Sequence, residues 1–551
     1  MPQLSDGELD VSVIDATPAT HLTRPRRAPG TEIHPPANAG TGQWLLQRGP
    51  KYIRVGEHVA RLAQHLDGTH DSATLAHQLG PAWSPEVVDR VVAQLDGLGL
   101  IDDGEMTAPG RPRRWQLVPP FTIQLTLLRP GRTMLRLQPV FALIASRFVG
   151  WLAALTGLAG LGALVVQADV VGRALGEPLP VTSYLAILVA LIVATSIHEL
   201  GHAAMLIRHG GRPSRIGIML FYFLPSFFCD VSDAWRLEDR RQRVRVALAG
   251  PMVQATLGSA AGLLALLVDS PDRRAAMVFF AVGSYVTSLL NLLPLVKLDG
   301  YIALMSLVDV PFLRARAIAD ARRALARLLF GGTYQRELPT RWTVWYGLAC
   351  LAFPAYLLAT AGALWVGLLQ RAGLVGLTIV LLALCYALYL LGRGARRLAA
   401  EVRAAGVRRL RVALVLAGLA LAFGAALFAR VPYTVEGAYV TQDGRTTLVL
   451  LDSADAARLA PGQRVELIGN GAVLHGHLGT ATIATAPPTP GSAPVSSFFP
   501  IRVDAGLTLP VTGYPLDVTE TPGHRTAAAK VHTGDLPLWE LAYRTYVRPF
   551  L

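Results

Sequence analysis

The chain has 551 residues, of which 52% are hydrophobic and only 16% charged. Ordinary soluble domains carry about 25% charged residues, so the composition excludes a chain that is soluble throughout and assigns much of it to lipid. The formal net charge is +13, nearly all from arginine, because Lys51, Lys297 and Lys530 are the only lysines. Three cysteines, Cys229, Cys350 and Cys385, make neither a disulfide framework nor a thiolate metal site.

Residues 1–40 are polar and rich in Pro, Thr and Asp. They predict a disordered tail without a cleavable signal peptide, so the chain before the first span is expected to stay on the side of synthesis. Residues 41–105 predict a small folded domain. In "KYIRVGEHVARLAQHLDG" a short strand precedes a helix with Val59, Leu62, Ala63 and Leu66 on one face. Two more amphipathic helices follow, around 71–79 and 84–98. One short strand and three helices describe a winged-helix-like α+β unit. With "HLDGTHD" and "VVAQLDGLGLI" it resembles the PqqD-like peptide-recognition domain. Residues 106–147, with "RPGRTMLRLQPVF", predict an amphipathic connector lying along the membrane surface.

A bilayer helix needs about 20 predominantly apolar residues. Seven such segments occur: 148–168, 183–206, 246–268, 276–297, 342–366, 374–392 and 411–430. The piece "IGIMLFYFLPSFF" at 216–228 is short and broken by Pro225, which predicts a re-entrant or hairpin element instead of a span. Loop charges orient the scheme. Arginines 208, 212, 215, 236, 240, 241, 243 and 245, then 314, 316, 322, 323, 327, 336 and 341, then 393, 396, 397, 403, 408, 409 and 411 fall in alternate connections. The opposite loops hold only Arg173, Arg273, Arg274 and Arg371. The positive-inside rule therefore predicts a cytoplasmic N-terminus, and this placement argues for membrane topology over nucleic-acid binding. An odd number of spans sends residues 431–551 to the other face. That tail alternates short Val- and Leu-rich runs with Gly, Pro and Asp turns, predicting a small all-β domain. Its "LAPGQRVEL" resembles the β-domain of periplasmic adaptor proteins, which leaves room for a transporter or adaptor partner.

The chemistry lies in "ATSIHELGHAAML", where His198, Glu199 and His202 form H-E-x-x-H on the second span. Histidines four residues apart stand one above the other on a helix face and can bind one Zn²⁺ at about 2.0–2.1 Å. Glu199 is then the base for the attacking water, and Gly201 leaves room for close backbone approach. Ionisable groups in a membrane helix are costly, so function is their default meaning. The bland alternative is two core histidines hydrogen-bonded between helices, with Glu199 as their partner.

Catalytic zinc needs a third protein ligand and an open position. Asp299, in "NLLPLVKLDGY" at the cytoplasmic end of the fourth span, is the leading candidate. Spans two and four both run inward, which brings His202 and Asp299 to similar depth. Asp230 and Asp233 in "CDVSDAW" are the rival source. Lys297 is expected to snorkel to headgroups, with pairing to Asp299 or orienting an oxyanion as alternatives. His209 is expected to be a solvated cation at a helix end, and Cys229 a buried small side chain.

HELGH on one span and N-x-x-P-x-x-x-L-D-G on a later one resemble the site-2 protease family of intramembrane zinc metalloproteases, over about residues 183–310. "CDVSDAW" and "LDGYIALMSLVDVPFLRARA" are similar to its bacterial peptide zinc metalloprotease branch. The resemblance implies His198, His202 and Asp299 as ligands of one Zn²⁺ per chain, Glu199 as catalytic base, and Asn291 as a residue that holds substrate or orients the site. Taken with the PqqD-like resemblance, it implies a multi-pass protease of a bacterial cytoplasmic membrane, with residues 148–430 as its core. Its expected substrate is a ribosomally made, modified precursor peptide that loses its leader. The competing expectations are a signalling protease cutting a membrane-bound regulator and a non-catalytic peptide-export component.

Overall fold

The computed structural model describes residues 24–35, 43–48, 51–102, 114–118, 122–129, 138–221, 224–310, 312–371, 373–451, 456–503, 506–518 and 523–546. Two compact units emerge. One comprises Met1–Leu152, Ala194–Val253 and Ile302–Phe312; the other comprises Ala153–Val193, Gln254–Tyr301 and Leu313–Leu551.

Strands β1 (Arg26–Arg27), β2 (Thr31–His34), β3 (Gln43–Arg48) and β4 (Lys51–Gly56) open the first unit. Helices α1 (Glu57–His65), α2 (Ser72–Leu79) and α3 (Pro85–Gly97) and strand β5 (Ile101–Asp102) follow. Strands β2, β3 and β4 form an antiparallel meander, and β1 pairs with β5. The helix starts obey local chemistry. Asp71 accepts from the Thr74 N–H at 2.8 Å, and α3 starts with Pro85 after Ser84, whose hydroxyl accepts from the Val87 N–H. Leu46, Ile53, Val59, Leu62, Leu75, Val88 and Leu95 bury one common core. The domain holds more strand than predicted and starts before residue 41. Within the stretch predicted to be a disordered tail, β1 and β2 are ordered because they pair with β5 and β3 and because Ile33 packs on that core. Residues 1–23 and 36–40 of that tail lie outside the described residues.

The stretch predicted as a surface connector contains two further strands, β6 (Trp115–Val118) and β7 (Thr122–Leu128), before helix α4 (Gln138–Ile144). After α5 (Arg147–Val166), α6 (Ala168–Gly176), strand β8 (Leu179–Pro180) and α7 (Val181–Arg208), the chain forms the hairpin β9 (Ile216–Phe221) and β10 (Leu224–Cys229). The four strands make one antiparallel sheet in the order β10-β9-β7-β6. The physical reason is satisfaction of backbone groups: a hairpin alone leaves one edge of β9 unpaired, and β7 supplies it. Gly217 permits the approach, since a Cβ there would sit 2.9 Å from Phe228 Cε1 and against the Leu125 carbonyl.

Helices α8 (Arg240–Ala265), α9 (Pro271–Leu292), α10 (Asp299–Val308), α11 (Leu313–Phe330), α12 (Trp342–Arg371), α13 (Gly373–Ala404) and α14 (Arg409–Leu427) follow. Seven helical segments among the described residues are long and apolar enough to cross a membrane: Arg147–Val166, Val181–Arg208, Arg240–Ala265, Pro271–Leu292, Trp342–Thr360, Leu374–Ala404 and Arg409–Leu427. The fourth ends earlier than the predicted 276–297. Leu293, before Pro294, is extended (φ −68°, ψ 120°), as expected of a residue preceding proline, and Asp299 opens a separate short helix. Within the second unit, small and polar residues join the spans. The Tyr285 hydroxyl meets Ser259 Oγ at 2.7 Å and donates to the Gly157 carbonyl at 2.9 Å. Gln167 donates to the Gly262 carbonyl at 3.0 Å. Such hydrogen bonds and close backbone approaches replace the hydrophobic effect between helices in lipid.

The C-terminal region is a β-barrel. Its strands are β11 (Arg430–Gln442), β12 (Arg445–Leu450), β13 (Arg464–Ile468), β14 (His477–Ile483), β15 (Thr489–Pro494), β16 (Ile501–Arg502), β17 (Thr508–Val518) and β18 (Thr526–Pro537). The order β12-β11-β18-β13-β14-β17 closes through a β12–β17 pairing, and β15 adds to β17 beside the closure. A final helix, α15 (Leu538–Tyr546), follows. Barrel and membrane-helix ends meet within the same unit: β16 pairs with β8, the Tyr184 hydroxyl donates to the Pro500 carbonyl at 2.8 Å, and Arg502 pairs with Asp272.

Tyr439 is fully buried in the barrel core, its hydroxyl has no hydrogen-bond partner among the described residues, and burial pushes its pKa up to about 12. Because the folded pKa lies above the unfolded value, this group's contribution is intact below pH ~10 and is lost as pH climbs towards 12. Tyr439→Phe is therefore expected to raise the alkaline unfolding midpoint of the barrel, read by circular dichroism, and to leave neutral-pH stability unchanged or improved.

Candidate active site

Helix α7 carries His198, Glu199 and His202 into a membrane-spanning segment. The i, i+4 spacing stacks both imidazoles on one face. They are 4% exposed and lie edge to face with centroids 4.9 Å apart. His202 Nδ1 lies 2.7 Å from the Val246 carbonyl oxygen on α8. A carbonyl only accepts, so Nδ1 carries the proton, which leaves Nε2, facing His198, as the nitrogen available to a metal. The two Nε2 atoms stand 3.2 Å apart. Two nitrogens at about 2.0–2.1 Å from one tetrahedral ion would be separated by about 3.3 Å, so the pair fits a shared metal.

The space before these nitrogens is kept open by Gly250 on α8. A Cβ there would lie 2.6 Å from His198 Nε2 and still closer to His202 Nε2. Gly201 allows the helices to meet, with Val253 Cγ2 only 2.9 Å from where its Cβ would be. The close approach expected at Gly201 is thus made by α8.

Asp299 is the first residue of α10, and its carboxylate supplies the third group. One ligand atom from each of His198, His202 and Asp299 lies within 4.8 Å of the others, and they form the one such cluster of three among the described residues. The turn before Asp299 is tight: a Cβ on Gly300 would sit 2.8 Å from Leu292 Cα. Glu199 is not part of that cluster. It points to the hairpin, where its Oε2 accepts the Cys229 N–H at 3.0 Å.

The other sequence candidates have different occupations. Asp230 accepts from the Ser232 backbone N–H and pairs with Arg215 at 3.0 Å. Asp233 accepts the Arg212 N–H at 2.7 Å and pairs with Arg236 at 3.5 Å. Both hold the loop before α8 and stand outside the ligand cluster. Asn291, in the last turn of α9, is half-buried and also outside it. Lys297 is exposed. Cys229 is half-buried. His209 departs from the expected solvated group: it is half-buried, and burial, with Arg245 and Arg208 adding to it, lowers its pKa. Residues that sequence reasoning missed are Val246 and Gly250. The signal was "AGPM", a glycine followed by proline inside an apolar span with nothing else to explain it.

A methyl group at Gly250 must displace an imidazole or occupy the metal's place. Overpacking of this kind costs about 1–3 kcal/mol. Gly250→Ala is thus expected to weaken zinc binding by about 10- to 100-fold while the chain stays folded, as measured by chelator competition on the purified protein.

No curated protein and no solved structure gives a match to the chain. Residues 186–271 match the model of Peptidase family M50. The matched stretch contains His198, Glu199, His202, Val246 and Gly250 and ends before Asp299. This part of the chain is a Peptidase family M50 domain, of the site-2 protease family, in a membrane protein.

Proposed function

We propose that the protein is an intramembrane zinc metallopeptidase that removes the leader from a ribosomally made, modified precursor peptide. The observation that carries this reading is the convergence of two buried imidazoles and one carboxylate beside a glutamate tied to a strand end. His198, His202 and Asp299 would hold one Zn²⁺, which when bound polarises the scissile carbonyl and acidifies the attacking water. Glu199 takes the proton from that water and returns it to the leaving amine. Its bond to the Cys229 N–H fixes the carboxylate at the end of β10.

Among the described residues, strand β10 forms an edge of its sheet. A substrate helix hides its backbone groups, so the scissile segment must unwind, and a strand edge offers replacement partners for the exposed N–H and C=O groups. Asn291 is proposed to hold or orient substrate. The N-terminal domain, by its PqqD-like resemblance, captures the leader. Tethering it to the peptidase raises the local substrate concentration to about millimolar. The arginine-rich loops support a cytoplasmic N-terminal domain and an extracytoplasmic barrel, where the barrel would meet a transporter or adaptor.

Glu199→Gln is expected to keep zinc and to reduce cleavage of a co-expressed precursor by on the order of 10²- to 10⁴-fold, followed by mass spectrometry; wild-type cleavage would remove Glu199 from the mechanism. Deleting residues 1–105 is expected to weaken capture of the full precursor far more than cleavage of a precursor fused to the truncated chain. Equal capture by both forms would reject leader recognition.

A further inference from the structure

Asp299 lies beyond the M50 match, and contacts at both ends of α10 position the helix that bears it. The segment before it, 293–298, has no helix or strand ladder to satisfy its carbonyls. Two of those carbonyls have dedicated donors. The Tyr346 hydroxyl, from the first turns of α12, donates to the Pro294 carbonyl at 2.7 Å. Arg314, from the first turn of α11, donates through Nε to the Leu295 carbonyl at 3.1 Å, and through its other arm to the Cys350 carbonyl on α12 at 3.2 Å. Tyr346 is 9% exposed and Cys350 is buried, so these bonds lie in a low-dielectric setting where an unmet carbonyl is expensive.

The far end of the same helix is also held. Asp309 follows α10 in the left-handed conformation, with φ +56°, the usual way to leave a helix and a conformation aspartate tolerates. Its carboxylate pairs at 2.6 Å with Arg243, whose side chain is 2% exposed. Arg243 also donates to the Leu237 carbonyl at 2.7 Å. It lies one helical turn before Val246, whose carbonyl orients His202. Helix α8 thus fixes both the ring of one proposed ligand and the far end of the helix bearing another.

We infer that Tyr346 and Arg314 are positioning residues for the Asp299 carboxylate, and that the Arg243–Asp309 pair anchors the opposite end of α10. The inference rests on Asp299 being a metal ligand, as proposed above. Tyr346 and Arg314 act through the backbone of the preceding turn: losing either frees a carbonyl to turn, and the carboxylate loses its aim while the helices remain packed.

The test is a double-mutant cycle on the purified full chain, with Zn²⁺ affinity by chelator competition, the Co²⁺ absorption spectrum, and the thermal midpoint of the metal-free protein as readouts. Outer partners of a metal ligand typically contribute about 10- to 100-fold in metal affinity. Tyr346→Phe is therefore expected to weaken zinc binding by about tenfold and shift the Co²⁺ bands, with the metal-free midpoint little changed. In an Asp299→Ala background the same substitution should add no further loss, because the group it positions is gone. Equal losses in both backgrounds, or unchanged affinity in the first, would overturn the inference. Arg314→Lys repeats the cycle with charge retained, so a poorly folding Tyr346 variant does not decide the matter. Undiminished affinity in Asp299→Ala alone would instead overturn the ligand assignment, and this inference with it.

Discussion

The hydrogen bond from His202 Nδ1 to the Val246 carbonyl is the contact on which the rest of the site depends. It places the proton on Nδ1, so that Nε2 is the nitrogen available to a metal, and it ties α7 to α8 at the depth of the chemistry. Two buried imidazoles in a lipid-spanning helix need internal partners. Close helix approach provides them, and it is possible only because Gly201 and Gly250 carry no side chain at the crossing. A larger residue at Gly250 would fill the space that the two imidazoles face.

A second constraint comes from strand. An extended segment near a membrane-embedded site must have its backbone groups met by protein. The hairpin β9–β10 meets this by joining β7 and β6, which come from far earlier in the chain. Among the described residues the sheet leaves β10 at its edge, with Cys229 bonded to Glu199. The carboxylate that would move the proton is thereby held next to the strand that would pair with substrate. The proposed base and the proposed substrate platform share one hydrogen bond, which makes each sensitive to the other.

The third proposed ligand depends on breaking a helix. Pro294 ends α9, Gly300 lets the chain fold against Leu292, and Asp299 opens α10 at the turn so formed. Donors from α11 and α12 hold that turn, and a buried arginine on α8 holds the helix's other end. The matched M50 stretch therefore supplies two imidazoles, Glu199 and the arginine at the far end of α10, while the turn that bears Asp299 is held by residues outside it.

Much of this was readable in one dimension. Apolar runs of about 20 residues mark spans because lipid tolerates little else, and each of the seven corresponds to a helix. His198, Glu199 and His202 declare themselves because their spacing is set by one helical turn. Leu293–Pro294 announces a break, although not that Asp299 would begin a new helix beyond it. What tertiary structure alone decided is everything that depends on partners distant in sequence. Strands β6 and β7 look like surface connector until β9 is beside them, and β1 and β2 look like tail until a core forms against them. Asp230 and Asp233 rivalled Asp299 as carboxylates until Arg215, Arg212 and Arg236 were seen to occupy them. Local periodicity determines which segments become helices, because backbone and lipid act on neighbouring residues. Which carboxylate meets two imidazoles is settled only when separate helices pack, because that distance is written in no one segment.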